Sequence, residues 1–521
     1  MHSPQTDLLL QLVNSMTKAE KKSFRLFVNR DNNANVKLFM QLFDYIDTVK
    51  IYKEDELLRK CPLIKKSQLS NLKANLSRQI LVNLRYLHKG EFADVTIREM
   101  IDFARIVQSK GLTKASLDLL DKAKKLAEVH HQTMLMYQII DEERKIETQY
   151  ITGNSTQKAI FISEQSATNL RNLVLLDQLS NLSLMLYGMY LKYGYVKDKK
   201  DFEQVKAFFH SHLPDVKPDK LGFYERIYYY QSLVWFHHMT QDFVNYYKYS
   251  QKWVDTFHEH PMMVRTELVL YFKGLHNALN ALYMANKAEK FISNYNTYLY
   301  IGDKHMPDMS DSQLSSYYLF KYVHLLNMIF LTGNYVVGVR ELEELIYVLK
   351  SNKYQWDINR IMVFYYKIAC VYFGADDYKN AIEYLNKINN SPIGGLREDI
   401  QCFGRILTLI SHFELGNDFL VSYQLKSVYR FLIKMQDLQA VQKEILTFIR
   451  KTPQMTRNDL KTEFKKLRAK LVRYQNDPYE KRPFLYLDII SWLDSKIEVK
   501  RIETVIKEKM ENQKGVEKLG K

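Results

Sequence analysis

Glycine and proline are scarce in this chain, 17 and 10 among 521 residues, less than half of their usual combined share of about 12%. Folds of many short strands need many tight turns, and tight turns draw on these two residues. A sandwich, barrel or propeller of short strands is therefore excluded. Cysteine is scarcer still: Cys61, Cys370 and Cys402 are all there is. An odd, unclustered set builds neither a disulfide framework nor a zinc site, and it points to a reducing cytoplasm. Long apolar runs are missing too. The uncharged apolar-rich stretch Gln178 to Leu191 has 14 residues, against about 20 for a membrane span. The opening MHSPQTDLLLQLVNS has no basic n-region and no long apolar core, so no signal peptide is expected. These absences predict a cytoplasmic chain with no membrane partner.

Catalytic signatures are absent as well. The chain has no GxxxxGK[ST], no GxGxxG, no GxSxG, no HExxH and no CxxC. Gly394-Gly395 reads as a loop and not as a phosphate cradle. His237-His238 and His258-Glu-His260 are the one tempting metal pattern. Adjacent histidines on a helix point about 100° apart and do not chelate from one face, so structural histidines are expected. No enzyme activity, catalytic residue, metal or cofactor is predicted.

What the chain does have is helix. Hydrophobic residues make up 46% and charged residues 26%, enough for a large core. Ser3-Pro4 starts a first helix, with proline at the first helical position. Thr17-Lys-Ala-Glu20 reads as a capping box before Phe24, Phe27 and Val28. Further helices are expected near 34–49 and 54–60. A long one runs from a Ser67 cap to about Lys89, with Leu69, Leu72, Leu76, Ile80, Leu84 and Leu87 on one face. Residues 1–92 form a helical domain in this reading.

Beyond it, helical hairpins recur. The residues that open the second helix of each are Leu112, Ser155, Phe202, Phe243, Lys287, Tyr335, Tyr378 and Phe419, spaced 41 to 48 residues apart. Eight units with a near-constant period are a repeat signal. Four turns look related, at Thr152-Gly-Asn, Thr332-Gly-Asn-Tyr335, Gly374-Ala-Asp-Asp-Tyr378 and Leu415-Gly-Asn-Asp-Phe419. In each, glycine is expected to take the left-handed conformation that ends the first helix, and Asn or Asp to cap the second. Residues 365–393, YYKIACVYFGADDYKNAIEYLNKINNSPI, carry the sharpest unit. Tyr365, Ile368, Ala369, Tyr372, Tyr378, Ala381 and Leu385 stand at the packing positions, and Pro392 closes the unit.

This unit resembles the tetratricopeptide repeat (TPR), and the unit from Tyr322 to Leu345, with Gly338 as its small residue, is similar. The ends, MTKAEKKSFRLF and PFLYLDIISWLDSKIE, are similar to a group of bacterial TPR-like proteins with no established activity. The resemblance implies an all-α fold: a basic N-terminal helical domain (1–92), a right-handed TPR-like solenoid of about eight hairpins (93–450) and C-terminal capping helices (451–500). The period of about 44 against about 34 in the family implies longer helices or longer loops between hairpins. Residues 501–521 are charged, lack a sustained apolar face, and read as a frayed or disordered tail. The resemblance also implies that the first helix of each hairpin lines a concave groove. Asn327, Tyr366, Cys370 and Phe373 would face it. The Lys/Asn carboxylate clamp that some relatives use is not expected in the sharp unit, because its positions there are held by Tyr366 and Cys370. Residues 223–257 hold 13 aromatics among 35, read mainly as core and secondarily as a tyrosine-lined groove.

Charge supplies the rival expectation. The net charge is +16. Residues 59–90 contribute eight basic and no acidic residues, and residues 451–482 ten basic against four acidic. Lys65, Lys66, Lys73, Arg78, Arg85 and Lys89 form a candidate patch for an anion or for nucleic acid. Asp44, Asp47, Glu54 and Glu56 are the acids that would otherwise neutralise it. The functional expectation is a non-enzymatic scaffold that binds a protein or peptide in its groove. The alternative is a nucleic-acid-associated regulator acting through residues 59–90, with the TPR-like region as a sensor.

Overall fold

The computed structural model describes residues 4–29, 36–49, 51–90, 92–149, 155–390, 398–435, 439–452, 455, 457–475, 477, 479–480, 484 and 488–519. Among these the regular structure is entirely helical. Two compact units divide at Leu173–Val174. Several expected features lie outside the described residues: Ser3, the Thr152-Gly-Asn turn, Gly394-Gly395, and Pro392, Pro453, Pro478 and Pro483.

The first unit opens with α1 (Pro4–Ser15), α2 (Lys18–Asn29), α3 (Val36–Thr48), α4 (Glu54–Lys60) and α5 (Lys66–Leu87). The expected capping box before α2 is present. Thr17 N–H donates to a Glu20 carboxylate oxygen over 2.6 Å, and Glu20 N–H to Thr17 Oγ1 over 3.2 Å. The Ser67 cap is not: α5 starts one residue earlier, behind an extended Lys65 that offers no side-chain cap. Leu9, Val13, Phe24, Phe43, Leu57, Leu69, Leu76 and Ile80 form one core. Then follow α6 (Ala93–Ser109), α7 (Thr113–Val129) and α8 (Thr133–Gln149). They pack around a second core of Ile97, Ile101, Leu120, Ala123 and Ile139. The expected break at 92/93 thus separates two cores of one unit.

The unit division falls inside α9 (Ser155–Tyr193), a helix of 39 residues. The repeat spacing predicts two hairpin helices in its place. From Ser155 to Tyr193 the sequence offers no proline and only Gly188, so nothing forces a turn, and the two helices run on as one.

The second unit continues with α10 (Lys199–His212), α11 (Phe223–Met239), α12 (Phe243–Glu259), α13 (Pro261–Thr266), α14 (Leu268–Met284), α15 (Ala288–His305), α16 (Asp311–Thr332), α17 (Tyr335–Ser351), α18 (Ile358–Gly374), α19 (Tyr378–Asn389), α20 (Glu398–Glu414), α21 (Asp418–Lys434), α22 (Ala440–Lys451), α23 (Arg457–Val472), α24 (Ile489–Glu498) and α25 (Ile502–Leu519). Helices close in sequence pack on one another, and α14, α16, α18 and α20 pack side by side in that order. Seven of the eight second-helix openings lie within a residue of a helix start. Phe202 is the exception, because Asp198 caps α10 earlier through a bond from Asp201 N–H of 2.8 Å.

One turn geometry recurs. A left-handed residue ends the first helix, and the next N–H reaches back five residues. Asp242 N–H bonds His237 O (2.9 Å), Lys287 bonds Leu282 (2.9 Å), Asp377 bonds Tyr372 (2.9 Å) and Asn417 bonds His412 (3.0 Å). This is the 6→1 bond of a Schellman ending. The left-handed residue is Gly333 and Gly416 where expected, but Gln241, Asn286 and Asp376 elsewhere. Gly374 is not left-handed. It belongs to α18, where a Cβ would stand 2.4 Å from the Tyr335 ring. Asp242 and Asp377 cap the helices that follow, whereas Asn334 and Asn417 make no side-chain cap.

Small residues set the helix spacing. Ala369 and Ala381 are fully buried between α18 and α19, and a Cβ on Gly338 would meet Ile329 at 2.8 Å. None of the thirteen aromatics of 223–257 is exposed. Six of them are buried in the core, and Tyr224, Tyr229, Trp235, Phe243, Tyr247 and Tyr249 are half-buried against it.

The C-terminus departs from the expected loose tail. Ile502, Val505 and Ile506 are buried, a short apolar stripe at the start of α25 that docks it on α16. Trp492 of α24 is fully buried. Its Nε1 donates to Glu414 over 2.6 Å, and Lys496 donates to the other carboxylate oxygen over 2.6 Å.

Candidate functional site

The inner stripes of α14, α16 and α18 meet as adjacent helices, and they carry the chemistry of the second unit. Lys273, His276, Asn280 and Tyr283 lie along α14 at helical spacing. Phe320, His324 and Asn327 do so on α16, and Arg360, Lys367 and Cys370 on α18. A hydrogen-bonded chain joins the three helices. Lys367 Nζ donates to Asn327 Oδ1 over 2.6 Å. A lysine ammonium can only donate, so the amide orientation of Asn327 is fixed. Its Nδ2 then faces His324 Nδ1 at 3.4 Å, which must accept. The His324 proton sits on Nε2 and is donated to His276 Nδ1 over 2.9 Å. His276 in turn keeps its proton on Nε2.

Burial holds the two imidazoles neutral. His324 is completely buried, and burial, then His276 and Lys367, push its imidazole well below the usual range. His276 is pushed down to about 3 by burial first and then by Lys367, Arg360 and Lys273. The His276 ring also stacks on Phe320 at 4.2 Å. Lys367 lies over the rings of Tyr283 and Phe330 at 5.1 and 5.2 Å, a cation–π setting. Lys273 is exposed, and burial of its stem and then Arg360 lower its pKa. Arg360 is exposed too and pairs with Asp357 at 3.1 Å. Three cations therefore act with burial to oppose protonation of His276.

The four residues expected to face a groove are placed differently. Asn327, Tyr366 and Phe373 are buried, at 0, 5 and 3% exposure, and Cys370 is partly buried. Burial pushes the Cys370 thiol up to about 12, so it is no thiolate nucleophile. Tyr366 and Phe373 point into the packing of the hairpins, because α18 is covered by helices on more than one side. Asn327 does take part in the face, from behind, as the residue that orients Lys367. Sequence reading missed Lys273, His276, His324, Arg360 and Lys367. One signal was available. His276, His324 and Lys367 each stand 11 residues before Lys287, Tyr335 and Tyr378, the expected second-helix openings. They occupy one register in three successive hairpins.

The N-terminal patch is also rearranged. Lys73 is buried at 5% exposure, with its ammonium 4.2 Å from the centre of the Tyr52 ring, and burial lowers its pKa. It does not belong to an exposed anion patch. Lys89 pairs with Glu99, Lys66 lies 3.9 Å from Glu54, and Lys60 pairs with Glu56 at 2.9 Å. Asp44 and Asp47 serve Arg25 and Lys21 instead. Lys65, Arg78 and Arg85 are exposed and form no ion pair among the described residues.

The histidine pairs are structural. His237 meets Asp242 at 3.1 Å, His238 the Tyr195 hydroxyl at 3.0 Å and His258 that of Tyr271 at 3.2 Å. Among the described residues no cluster of His, Cys, Asp and Glu could hold a metal ion. The three cysteines are free. No described helix is long and apolar enough to cross a membrane. Comparison with protein-family models, curated proteins and solved structures returns no match.

Proposed function

We propose that this chain is a non-enzymatic, TPR-like scaffold of the cytoplasm, and that the face of α14, α16 and α18 takes an acidic segment of a protein partner. The observation that carries the reading is the setting of His276. A neutral imidazole with its proton on Nε2 stands among Lys273, Arg360 and Lys367. Neutral N–H and cationic donors grouped on one face suit carboxylates, which accept hydrogen bonds and add charge attraction. The recurring Schellman turns and the side-by-side packing of α14, α16, α18 and α20 support a hairpin array. Such arrays present extended recognition surfaces. Free cysteines support a reducing compartment.

The test is titration of the full chain into a fluorescein-labelled, glutamate-rich 12-residue peptide, with a lysine-rich peptide for comparison. Binding of the acidic peptide alone, weakened at least tenfold by Lys273→Glu with Arg360→Glu, supports the reading. Equal binding of both peptides, no binding near physiological salt, or insensitivity to the two substitutions sinks it.

A further inference from the structure

Helix α5 carries a second surface, independent of the face on α14–α18. Its buried side is Leu69, Leu72, Leu76 and Ile80. On the opposite side Ser67, Asn71, Ala74, Arg78, Leu81 and Arg85 follow one another at helical spacing, and all are exposed. Lys65 and Lys66 precede them, and Asn75 flanks them with a hydrogen bond to Asn71 of 3.3 Å. No acidic residue occurs from 59 to 90. We propose that this face of α5 binds duplex DNA, with the helix laid in the major groove.

Two comparisons within the molecule support this. The other basic stretch, 451–482, has four acidic residues among its ten basic ones, and three of its cations are paired in place. Arg468 pairs with Asp494, Lys466 with Glu463 at 2.6 Å and Lys470 with Glu444 at 2.8 Å. Arg78 and Arg85 have no such acid among the described residues. The acids that reach the two ends of this helix meet other residues: Glu54 lies by Lys66, Glu56 by Lys60, Glu20 by His88 and Glu99 by Lys89. The helix α7, also exposed along one side, mixes Lys114, Lys122 and Lys125 with Asp118 and Asp121. Unlike α7, α5 combines cations with uncharged hydrogen-bonding side chains and no acid.

The chemistry matches base edges and phosphates. Arginine forks onto guanine or phosphate, asparagine pairs with adenine, serine serves any base, and Leu81 offers apolar contact to a thymine methyl. The surroundings match as well. The short α4 is joined to the long α5 by Cys61–Lys65, and α3 packs on both. A short helix, a turn and a longer helix with its outer face free is the arrangement that presents a helix to a groove. A major groove about 12 Å wide admits a helix, whereas that of A-form RNA is too narrow to be read by side chains.

The test measures anisotropy of a fluorescein-labelled 30-base-pair duplex of mixed sequence with the full chain, at 50 and 200 mM KCl. Four phosphate contacts, one per cation, imply a loss of about a hundredfold between the two salts. Arg78→Glu with Arg85→Glu should weaken binding at least tenfold and flatten the salt dependence. Lys114→Glu with Lys122→Glu makes the same change in net charge on α7 and should stay within about twofold. Should the glutamate pair fail to fold by circular dichroism, Arg78→Gln with Arg85→Gln carries the test and should still weaken binding several-fold. No duplex binding at 50 mM KCl, equal losses in the α5 and α7 variants, or preference for single-stranded DNA or double-stranded RNA overturns the proposal.

Discussion

The backbone amide of Val336 donates to the carboxylate of Glu503 over 3.1 Å, across 167 positions of sequence. The bond joins the first turn of α17 to the first turn of α25. A carboxylate at a helix N-terminus satisfies an orphan N–H and meets the positive end of the helix dipole. Beside it, Ile506 stands so close to Gly333 that a Cβ there would lie 2.9 Å from Ile506 Cγ2. The chain end therefore clasps the turn between α16 and α17.

Loss of this clasp should be measurable. Glu503→Ala removes a cap and should cost about 0.5–2 kcal/mol. Ile506→Ala should cost about 2–5 kcal/mol. Chemical denaturation gives the energies, and limited proteolysis should release the C-terminus earlier in both variants. An unchanged denaturation midpoint and cleavage pattern would show that α25 contributes nothing there.

Two glycines in helices should respond in opposite directions. A Cβ on Gly302 would fall 2.0 Å from the fully buried Tyr317 ring, whose backbone carbonyl also accepts from the Tyr298 hydroxyl at 2.8 Å. Gly302→Ala must shift α15 against α16 and should destabilise by about 1–3 kcal/mol. Gly188, exposed within α9, has open space where a Cβ would stand, with no neighbouring atom within 4 Å. Gly188→Ala should stabilise by up to about 1 kcal/mol. Thermal melts of the pair decide the matter, and equal effects would contradict the packing described.

The polar chain across α14, α16 and α18 predicts energetic coupling. Asn327→Leu removes both the acceptor for Lys367 and the donor to His324 and should cost about 2–4 kcal/mol. In a double-mutant cycle with Lys367→Met the two costs should fail to add by about 0.5–3 kcal/mol. Strict additivity would mean that the 2.6 Å contact carries no net energy.

Class and helix positions were legible because they rest on local patterns. The capping box of Thr17 and Glu20, the short α4 and most second-helix starts follow from spacing and caps. The turns were only half legible. Gly333 and Gly416 announce a left-handed residue, but Gln241, Asn286 and Asp376 do the same work with side chains that do not advertise it. The fused α9 was illegible from the repeat period, since a period says where helices recur and not whether a breaker separates them. The polar face of α14, α16 and α18 was missed for a different reason. His276, His324 and Lys367 are distant in sequence, and their meaning appears only when hairpins are aligned by register. Burial of Asn327, Tyr366 and Phe373 depends on neighbouring helices that no single-helix pattern reveals. Lys73 was drawn into the buried side of α5 by Tyr52, a residue 21 positions away.

Acid should destabilise the second unit before its carboxylates titrate. His276 is held down at about 3 in the folded chain, by burial and then by three cations, and burial likewise lowers His324. In the unfolded chain both titrate near 6.5. Above that value neither state binds the proton and stability is flat. As pH falls below it, the unfolded chain takes up protons that the folded chain refuses, so stability drops toward the folded value. The slope reaches about 1.4 kcal/mol per pH unit for each histidine. His237 and His412, lowered by burial, act in the same direction. The stabilising carboxylates, such as Asp494 beside Arg468 and Lys509, are lowered and hold until pH falls below about 4. Urea unfolding at pH 7.5, 6.5, 5.5 and 5.0 should therefore show a loss confined to the last two steps. His276→Gln, which cannot take up the proton in either state, should shallow the slope by about one histidine's share. A flat profile down to pH 5, or a slope unchanged by His276→Gln, would mean that His276 charges within the fold and is not held neutral.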